Sequence, residues 1–217
     1  MDSGLAPACM KHAPGRNTIV VLLGIDGSGK TTAARSLKDL FPSTPVLVLG
    51  NYSGRKTIAG WALRHRVRVP GRIVDALETA VRVVNVLINQ VRASRFDGLV
   101  IMDRHLYCQA ALRKARGIRR GTALMALAGI LPRAHAVVYF DIPAEQAYER
   151  IRLRGEDQET IDGLLGFRTG YRELASYPGF RTVDASGSRE ATLLQLADII
   201  THVSHRIPLD SSGRQAC

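Results

Sequence analysis

The chain has 217 residues, of which 46% are hydrophobic and 23% are charged, values typical of one globular domain with a sizeable core. Its 30 basic and 19 acidic side chains give a net charge of +11, which favours anionic partners. Aromatic residues make up 6% and form no ladder on which bases could stack, so we expect a small phosphorylated ligand rather than nucleic acid. The longest apolar run, residues 123–131, is shorter than the ~20 residues that a membrane-spanning helix needs.

The chain carries three cysteines, Cys9, Cys108 and Cys217, which stand far apart and form no C-x-x-C pair. This pattern argues against a zinc site and against a disulfide framework, and it is typical of a cytoplasmic protein. Residues 1–17 lack the apolar core of a signal peptide and are rich in Pro, Gly and Ala. We therefore expect one cytoplasmic domain at residues 18–206, between disordered tails at residues 1–17 and 207–217.

The stretch TIVVLLGIDGSGKTT, residues 18–32, combines a predicted buried strand, Ile19–Leu23, with a glycine-rich loop and the start of a helix. It matches the pattern G-x-x-x-x-G-K-[ST] at every defined position, with Gly24, Gly29, Lys30 and Thr31. In this pattern the glycines let backbone N–H groups converge on phosphate oxygens at the N-terminus of a helix. The lysine reaches the β- and γ-phosphates, and the hydroxyl group can bind Mg²⁺. The stretch therefore predicts a site for a nucleoside triphosphate.

Helices and apolar strands alternate after this motif. A helix at Lys30–Leu40 stops before Pro42, and the basic residues 51–69 favour no element. From Pro70 to about Arg95, apolar side chains recur at three-to-four spacing and predict a long helix: Ile73, Leu77, Val81, Val84, Leu87, Ile88 and Val91. The other predicted strands are Val46–Leu49, Leu99–Asp103, Ala136–Asp141 and Phe180–Val183. The other predicted helices are one of about twenty residues before Ala136, then Pro143–Arg154, Asp162–Ala175 and Arg189–Arg206.

Continuously apolar strands separated by helices indicate a parallel five-stranded sheet with helices on both faces, an α/β fold of three layers. Ligands of such folds bind beyond the carboxyl ends of the strands. The glycine-rich loop and three carboxylates, Asp103, Asp141 and Asp184, fall at those ends. The pattern therefore predicts an active site at this edge of the sheet.

Two acidic residues near this edge are candidate binding residues. Asp103 ends a strand, where a carboxylate can hold Mg²⁺ or its waters, and the adjacent Arg104 can fork onto a phosphate. Asp26 lies inside the glycine-rich loop, where it would repel a triphosphate, so we expect it to contact another partner such as a sugar hydroxyl. The alternatives are a turn-forming role for Asp26 and a helix-capping role for Asp103.

Three arginines, Arg150, Arg152 and Arg154, precede a charged loop at residues 155–160. Arginines on a mobile loop can close over a transferring phosphoryl group and neutralise its charge. The alternative is an exposed basic helix end that the helix dipole stabilises. Arg82 is the only charged residue in the run 79–87, and the residues alone favour an exposed or paired side chain there.

With these residues in place, the chain resembles the thymidylate kinase family of nucleoside-monophosphate kinases. The resemblance covers most of residues 18–205 and rests on four segments in order: GIDGSGKTT at 24–32, VIMDRH at 100–105, FDIPAEQAYERIRLRG at 140–155 and VDAS at 183–186. It implies a P-loop NTPase fold of the nucleoside-monophosphate kinase type, with a short lid at about residues 150–160. It also implies a possible homodimer, which this family commonly forms through its long helices.

The resemblance implies Mg²⁺-dependent transfer of the γ-phosphoryl group of ATP to the 5′-phosphate of an acceptor such as dTMP. It places the donor nucleotide at Gly24, Gly27, Ser28, Gly29, Lys30, Thr31, Thr32, Ala185 and Ser186, and the metal at Thr31 and Asp103. The implied acceptor contacts are Asp26, Arg82, Asp103 and Arg104. The implied catalytic set is Lys30, Asp26, Arg104, Arg150 and Arg154, with a lid arginine covering the transfer.

The chain departs from the family pattern mostly on the acceptor side. The family's Arg-Glu-Pro-Gly-Gly after the second strand reads GNYSGRK here, its Ala-Tyr-Gln appears as QAAL at residues 109–112, and its lid reads EDQE. Gly27 and Ser28 stand where some members carry an arginine, so lid arginines would have to supply that charge. Two other interpretations stay open: a kinase of the same fold with a sugar, nucleoside or metabolite acceptor, and a nucleotide-binding regulator or nucleic-acid-associated ATPase.

Overall fold

The computed structural model describes residues 17–50, 71–117, 122–155 and 159–204. Four predicted regions lie outside these ranges: the tail before Asn17, the tail after residue 206, the basic segment 51–69, and residues 156–158 of the lid.

Five parallel strands form one sheet: β1 Asn17–Leu23, β2 Val46–Gly50, β3 Gly98–Asp103, β4 Ala136–Asp141 and β5 Arg181–Asp184. Their order is β2-β3-β1-β4-β5, so β1 lies at the centre and pairs with both β3 and β4. Val20, Leu22 and Leu23 are 0% exposed, which explains why β1 is continuously apolar. The five predicted strands and their parallel arrangement are confirmed.

The helices of the described ranges are α1 Lys30–Leu40, α2 Gly71–Ser94, α3 Leu106–Ala115, α4 Thr122–Ile130, α5 Ala144–Arg152, α6 Ile161–Arg172 and α7 Arg189–Val203. A short 3-10 turn, Tyr177–Gly179, precedes β5. The prediction of one helix of about twenty residues before β4 is wrong, because α3 and α4 are separate helices. Gly117, just after α3, has a φ of 66°, the left-handed conformation in which helices commonly end.

The apolar side chains that predict α2 lie mostly on its solvent side. Six of them are 42–53% exposed and form what we call the apolar stripe: Ile73, Leu77, Val84, Leu87, Ile88 and Val91. Arg82, Asn89 and Gln90 are buried. Asn89 Nδ2 donates to the Gly50 carbonyl oxygen at 3.1 Å, and Gln90 Nε2 donates to the Pro132 carbonyl oxygen at 3.4 Å. Val86 and Ala93 on the same side are also buried, so α2 docks on the domain through a face that is partly polar and partly apolar.

A search of the described helices, including the 24-residue α2, finds none that is both long and apolar enough to cross a membrane.

Candidate active site

A tight phosphate loop, residues 24–29, joins β1 to α1. Gly24 and Gly27 have φ values of 141° and 81°. A Cβ atom on Gly24 would lie 2.7 Å from the carbonyl oxygen of Phe140, and one on Gly27 would lie 2.4 Å from that of Ala147. Both positions therefore require glycine, because the loop passes so closely over β4 and α5. The loop leads into the N-terminus of α1, where unpaired backbone N–H groups favour an anion.

Lys30 begins α1 and is 4% exposed. Its Nζ donates to the Ile25 carbonyl oxygen at 2.6 Å and to Ser28 Oγ at 3.0 Å. Burial, helped by the charge of Arg104 and opposed by that of Asp26, lowers the pKa of Lys30 from 10.5 to about 8. The ammonium group is thus held by two neutral oxygen atoms. Phosphate oxygens, which are charged, bind an ammonium group more strongly than these neutral partners do.

A hydroxyl group and a carboxylate meet beside the loop. Thr31 Oγ1, on α1, donates to Asp103 Oδ2, at the end of β3, over 2.5 Å. The other carboxylate oxygen, Asp103 Oδ1, is buried and has no hydrogen-bond partner among the described residues. A buried oxygen without a partner is costly unless a ligand binds it. The two side chains offer hard oxygen atoms, the ligand type that Mg²⁺ prefers.

Asp26 and Arg104 form an ion pair in which Arg104 Nη2 donates to Asp26 Oδ1. Burial raises the pKa of Asp26, but the charges of Arg104 and Lys30 outweigh this effect and hold the pKa below its ordinary value. The backbone of Arg104 has a φ of 77°, and its N–H donates to the Leu22 carbonyl oxygen at 3.2 Å. This conformation is strained for a residue with a side chain, as is common at functional sites. The sheet thus holds a guanidinium group beside the phosphate loop.

Buried polar side chains of α2 and α3 are further candidates for the acceptor side of the site. Arg82 is 6% exposed, and its charge helps to lower the pKa of Asp26. Gln109 is 1% exposed, and its Nε2 donates to Thr79 Oγ1 at 3.2 Å. The Oε1 atom of Gln109 is buried with no hydrogen-bond partner in the described parts of the chain. Burial lowers the pKa of the adjacent His105 to about 4, so this imidazole is neutral.

A cavity of about 390 Å³ opens on the other side of the loop. The loop and the first turn of α1 form its floor, the end of α5 forms one wall, and the segment between β5 and α7 forms the other. Arg150 connects α5 to the segment before α7, because its guanidinium group donates to the carbonyl oxygens of Ala185, Ser186 and Gly187 at 2.9, 3.5 and 3.3 Å. Arg154 is exposed and lines the cavity, and its Nε donates to the Arg150 carbonyl oxygen at 3.2 Å. The two predicted lid arginines therefore have different surroundings.

Neighbouring side chains engage the other two carboxylates at the strand ends. Asp141 accepts two hydrogen bonds from Arg168, at 2.8 and 3.0 Å, and one from Arg172 at 2.8 Å. Asp184 Oδ1 accepts from the backbone N–H and the hydroxyl group of Ser186, at 2.9 and 2.6 Å. Both carboxylates lie at the predicted edge of the sheet and hold its loops and helices in place. Asp103 differs, because its partner is a phosphate-loop residue.

Five lining residues of the cavity are not among the predicted site residues: Ala33, Leu153, Gly187, Arg189 and Thr192. Leu153 could have been found from its spacing, because positions 150, 153 and 154 share one helix face. Arg189 begins α7, and its guanidinium group donates to Ser36 Oγ on α1. No spacing rule connects residues so far apart in the chain, so this contact needs the fold. Only the structure shows that the side chain of Gln109 is buried, because a single amide residue gives no signal in the sequence.

A phosphate loop at the centre of a parallel sheet, with an ion pair beside it that can hold a second anion, defines a P-loop phosphotransferase of the nucleoside-monophosphate kinase type. Comparison with known proteins agrees with this class, because the family model for thymidylate kinase matches residues 23–195. The chain belongs to the thymidylate kinase family. It is therefore a nucleotide kinase with ATP as phosphoryl donor and dTMP as the family's acceptor, and the two alternative interpretations are not favoured.

Curated relatives cover most of the chain. It is 28% identical over 206 residues to a probable thymidylate kinase of Pyrococcus horikoshii, covering 88% of this chain and 98% of the relative. It is 30% identical over 202 residues to a probable thymidylate kinase of Pyrococcus abyssi, covering 86% and 97%. It is 31% identical over 209 residues to the thymidylate kinase of Xanthomonas campestris pv. campestris, covering 91% and 89%.

Proposed function

We propose that the chain transfers the γ-phosphoryl group of ATP to the 5′-phosphate of dTMP through the residues described above. The observation that carries the proposal is the Asp26–Arg104 pair beside the buried Lys30. Lys30 leaves its two neutral partners to bind the β- and γ-phosphates. Arg104 has five N–H donors, so it can hold the acceptor phosphate while it keeps Asp26. Asp26 is then free to accept from the acceptor sugar with its second oxygen.

Mg²⁺ fits the Thr31–Asp103 pair. In the described ranges no group of three or more His, Cys, Asp or Glu side chains could hold a metal ion. Mg²⁺ needs no such group, because it takes one or two protein oxygens and completes its shell with waters and phosphates. The unpartnered Asp103 Oδ1 and the Thr31 hydroxyl would hold the ion directly or through its waters. When bound, the ion neutralises charge that develops between the β- and γ-phosphates.

Phosphoryl transfer needs positioning and charge neutralisation more than covalent chemistry from the protein. In this proposal Arg82 and Arg104, whose charges act on Asp26, serve the acceptor phosphate, and Arg154, which lines the cavity, serves the donor. Arg154 is exposed and bonded only to a backbone carbonyl within the described residues, so it can move over the transferring group. Arg150 holds the donor wall through Ala185 and Ser186. We therefore propose Arg154 as the arginine that covers the transfer.

Gln109 recognises the acceptor base in this proposal. Thr79 engages its Nε2 atom, which leaves the buried Oε1 as the free acceptor. Thymine offers an N3–H donor to such an oxygen, whereas cytosine presents an acceptor at the same ring position. A buried oxygen that pairs with one base and stays unpaired with the other discriminates strongly between them. The site therefore favours dTMP over dCMP.

The apolar stripe of α2 forms a homodimer interface in this proposal. Its six side chains lie along one exposed helix face, and a two-fold axis would bring the same face of a second copy against it. Removing such an apolar face from contact with water is favourable, and homodimer interfaces are enriched in apolar area. We expect Ile88→Asp to convert a dimer into a monomer, measured by sedimentation velocity. Leu194→Asp, at an exposed apolar residue of α7, is the matched control, and a wild-type monomer would contradict the interface.

The catalytic proposal is tested by coupled ADP release with dTMP, dUMP, dCMP, AMP, thymidine and phosphosugars as acceptors. We expect dTMP to give the highest kcat/KM. Turnover with a phosphosugar or with thymidine, and none with dTMP, would overturn the proposal. We further propose that residues 18–206 form one cytoplasmic domain.

A further inference from the structure

Arg189 lines the donor cavity, but the proposed mechanism gives this residue no role. It lines the cavity together with Arg150 and Arg154, and none of the described lining residues is acidic. Three guanidinium groups around one space of about 390 Å³ favour an electron-rich occupant. The loop at the floor of the cavity serves the phosphates of the donor, so the space beyond the loop remains for the rest of the nucleotide. This assignment rests on the proposed binding of ATP at the phosphate loop.

The residue of α1 that Arg189 contacts indicates which part of the nucleotide lies near Arg189. Its guanidinium group is bonded to Ser36 Oγ, and Ser36 Oγ donates in turn to the Thr32 carbonyl oxygen at 3.1 Å. Ser36 lies six residues beyond Lys30, which places it about 9 Å further along the helix axis from the phosphate end. The base is the part of a nucleoside triphosphate that lies furthest from the γ-phosphate. Arg189 is thus displaced from the phosphate-binding end towards the base.

Two of the guanidinium groups that line the cavity come from separate elements. Arg150, on α5, is held by the carbonyl oxygens of residues 185–187, and Arg189, at the start of α7, is held by Ser36. Within the described ranges, the bond to Ser36 is the only hydrogen bond of Arg189, which leaves most of its N–H donors available. A planar guanidinium group binds a base by stacking on its face or by donating to its ring nitrogens.

We infer that Arg189 contacts the base of the donor nucleotide from the first turn of α7. This contact makes α7 part of the donor site and gives the pocket a second cation for the base. It also links donor binding to the packing of α1 against α7, because Ser36 and Arg189 connect these helices.

The test measures equilibrium binding by calorimetry with Mg²⁺ and two probes, the non-hydrolysable analogue AMPPNP and inorganic tripolyphosphate. We expect Arg189→Leu to weaken AMPPNP binding about tenfold and to leave tripolyphosphate binding unchanged, because only AMPPNP carries a base. Arg189→Lys should recover part of the loss, since it keeps the charge but not the planar group. Unchanged AMPPNP binding, or an equal loss with both probes, would overturn the inference.

Two control variants separate a base contact from helix packing. Arg152→Leu removes an exposed arginine that pairs with Glu149 at 2.9 Å and does not line the cavity, and it should leave AMPPNP binding unchanged. Ser36→Ala removes the link between the helices but keeps the guanidinium group, so its loss should be smaller than that of Arg189→Leu. Equal losses would show that Arg189 acts through packing alone. Because no acceptor is present, a wild-type protein that fails to phosphorylate dTMP would refute the proposed function and leave this result standing.

Discussion

The donor side and the acceptor side of the site are built in different ways. On the donor side, one continuous stretch, residues 24–32, supplies the backbone cradle, the lysine and the hydroxyl group for the phosphates, and α5 and α7 add only the walls of the cavity beyond it. On the acceptor side, Asp26 pairs with Arg104 across 78 positions of sequence, and Gln109 meets Thr79 across 30. A cradle of backbone groups depends on glycines and close packing, whereas an acceptor site of side chains depends on which elements the fold brings together. The donor site should therefore be the more general of the two and the acceptor site the more selective.

The largest effect is expected from removing Lys30, the buried donor-side cation directly after the loop. Lys30→Ala should lower kcat with dTMP about 10²- to 10³-fold, because preorganised charge at the transferring group is lost. The measurement is coupled ADP release at saturating ATP and dTMP. Lys38→Ala, at an exposed lysine of the same helix, is the matched control. A Lys30→Ala variant with wild-type turnover would contradict the placement of the γ-phosphate.

A selective acceptor-side loss is expected from Arg104→Ala. It removes the guanidinium group that faces the acceptor phosphate and leaves Asp26 as a partly buried, unpaired carboxylate that repels the anion. We expect the KM for dTMP to rise about 10²-fold, while the KM for ATP changes far less. Steady-state kinetics with each substrate varied in turn separate the two values. Equal increases in both would place Arg104 on the donor side as well.

A smaller acceptor-side effect is expected from Gln109→Leu, which keeps the volume of the buried side chain and removes its amide. The KM for dTMP should rise about tenfold, because a buried hydrogen bond to the base is lost. The ratio of kcat/KM for dTMP to that for dCMP should fall, whereas the KM for ATP should stay constant. A ratio equal to that of the wild type would show that Gln109 does not recognise the base.

The smallest effect concerns pH and again separates the two sides. Because the pKa of Lys30 is about 8 in the folded protein, its charge is lost as the pH rises through this value. We expect kcat/KM for ATP to fall about fourfold between pH 7 and pH 8.5, and Lys30→Arg should flatten the profile. A wild-type profile that is flat up to pH 9 would contradict the lowered pKa.

The same pKa predicts how stability depends on pH. The unfolded chain keeps the ordinary lysine value of 10.5, so between pH 8 and pH 10.5 the unfolded state binds more protons than the folded state. The contribution of Lys30 to the free energy of unfolding therefore rises with pH across this window. Lys30→Met should stabilise the protein at pH 7, by up to about 3 kcal/mol, and this gain should shrink towards pH 10. Urea unfolding of both proteins at several pH values measures the difference.

The sequence by itself determined the phosphate loop, the five strands and the edge of the sheet at which the site lies. These features are local: a glycine pattern between a buried strand and a helix start is read from neighbouring residues, and parallel strands place their carboxyl ends together. Helix α2 was also predictable as a helix, because its apolar spacing is local.

The tertiary structure decided which face of each element meets which neighbour. The apolar stripe of α2 faces solvent because the opposite face docks through Val86, Asn89, Gln90 and Ala93, a choice that no periodicity reveals. The pairing of Ser36 with Arg189 spans 153 positions, and the bracing of residues 185–187 by Arg150 joins two separate elements. Contacts between distant residues depend on the packing of whole helices and strands, and for that reason only the folded chain shows them.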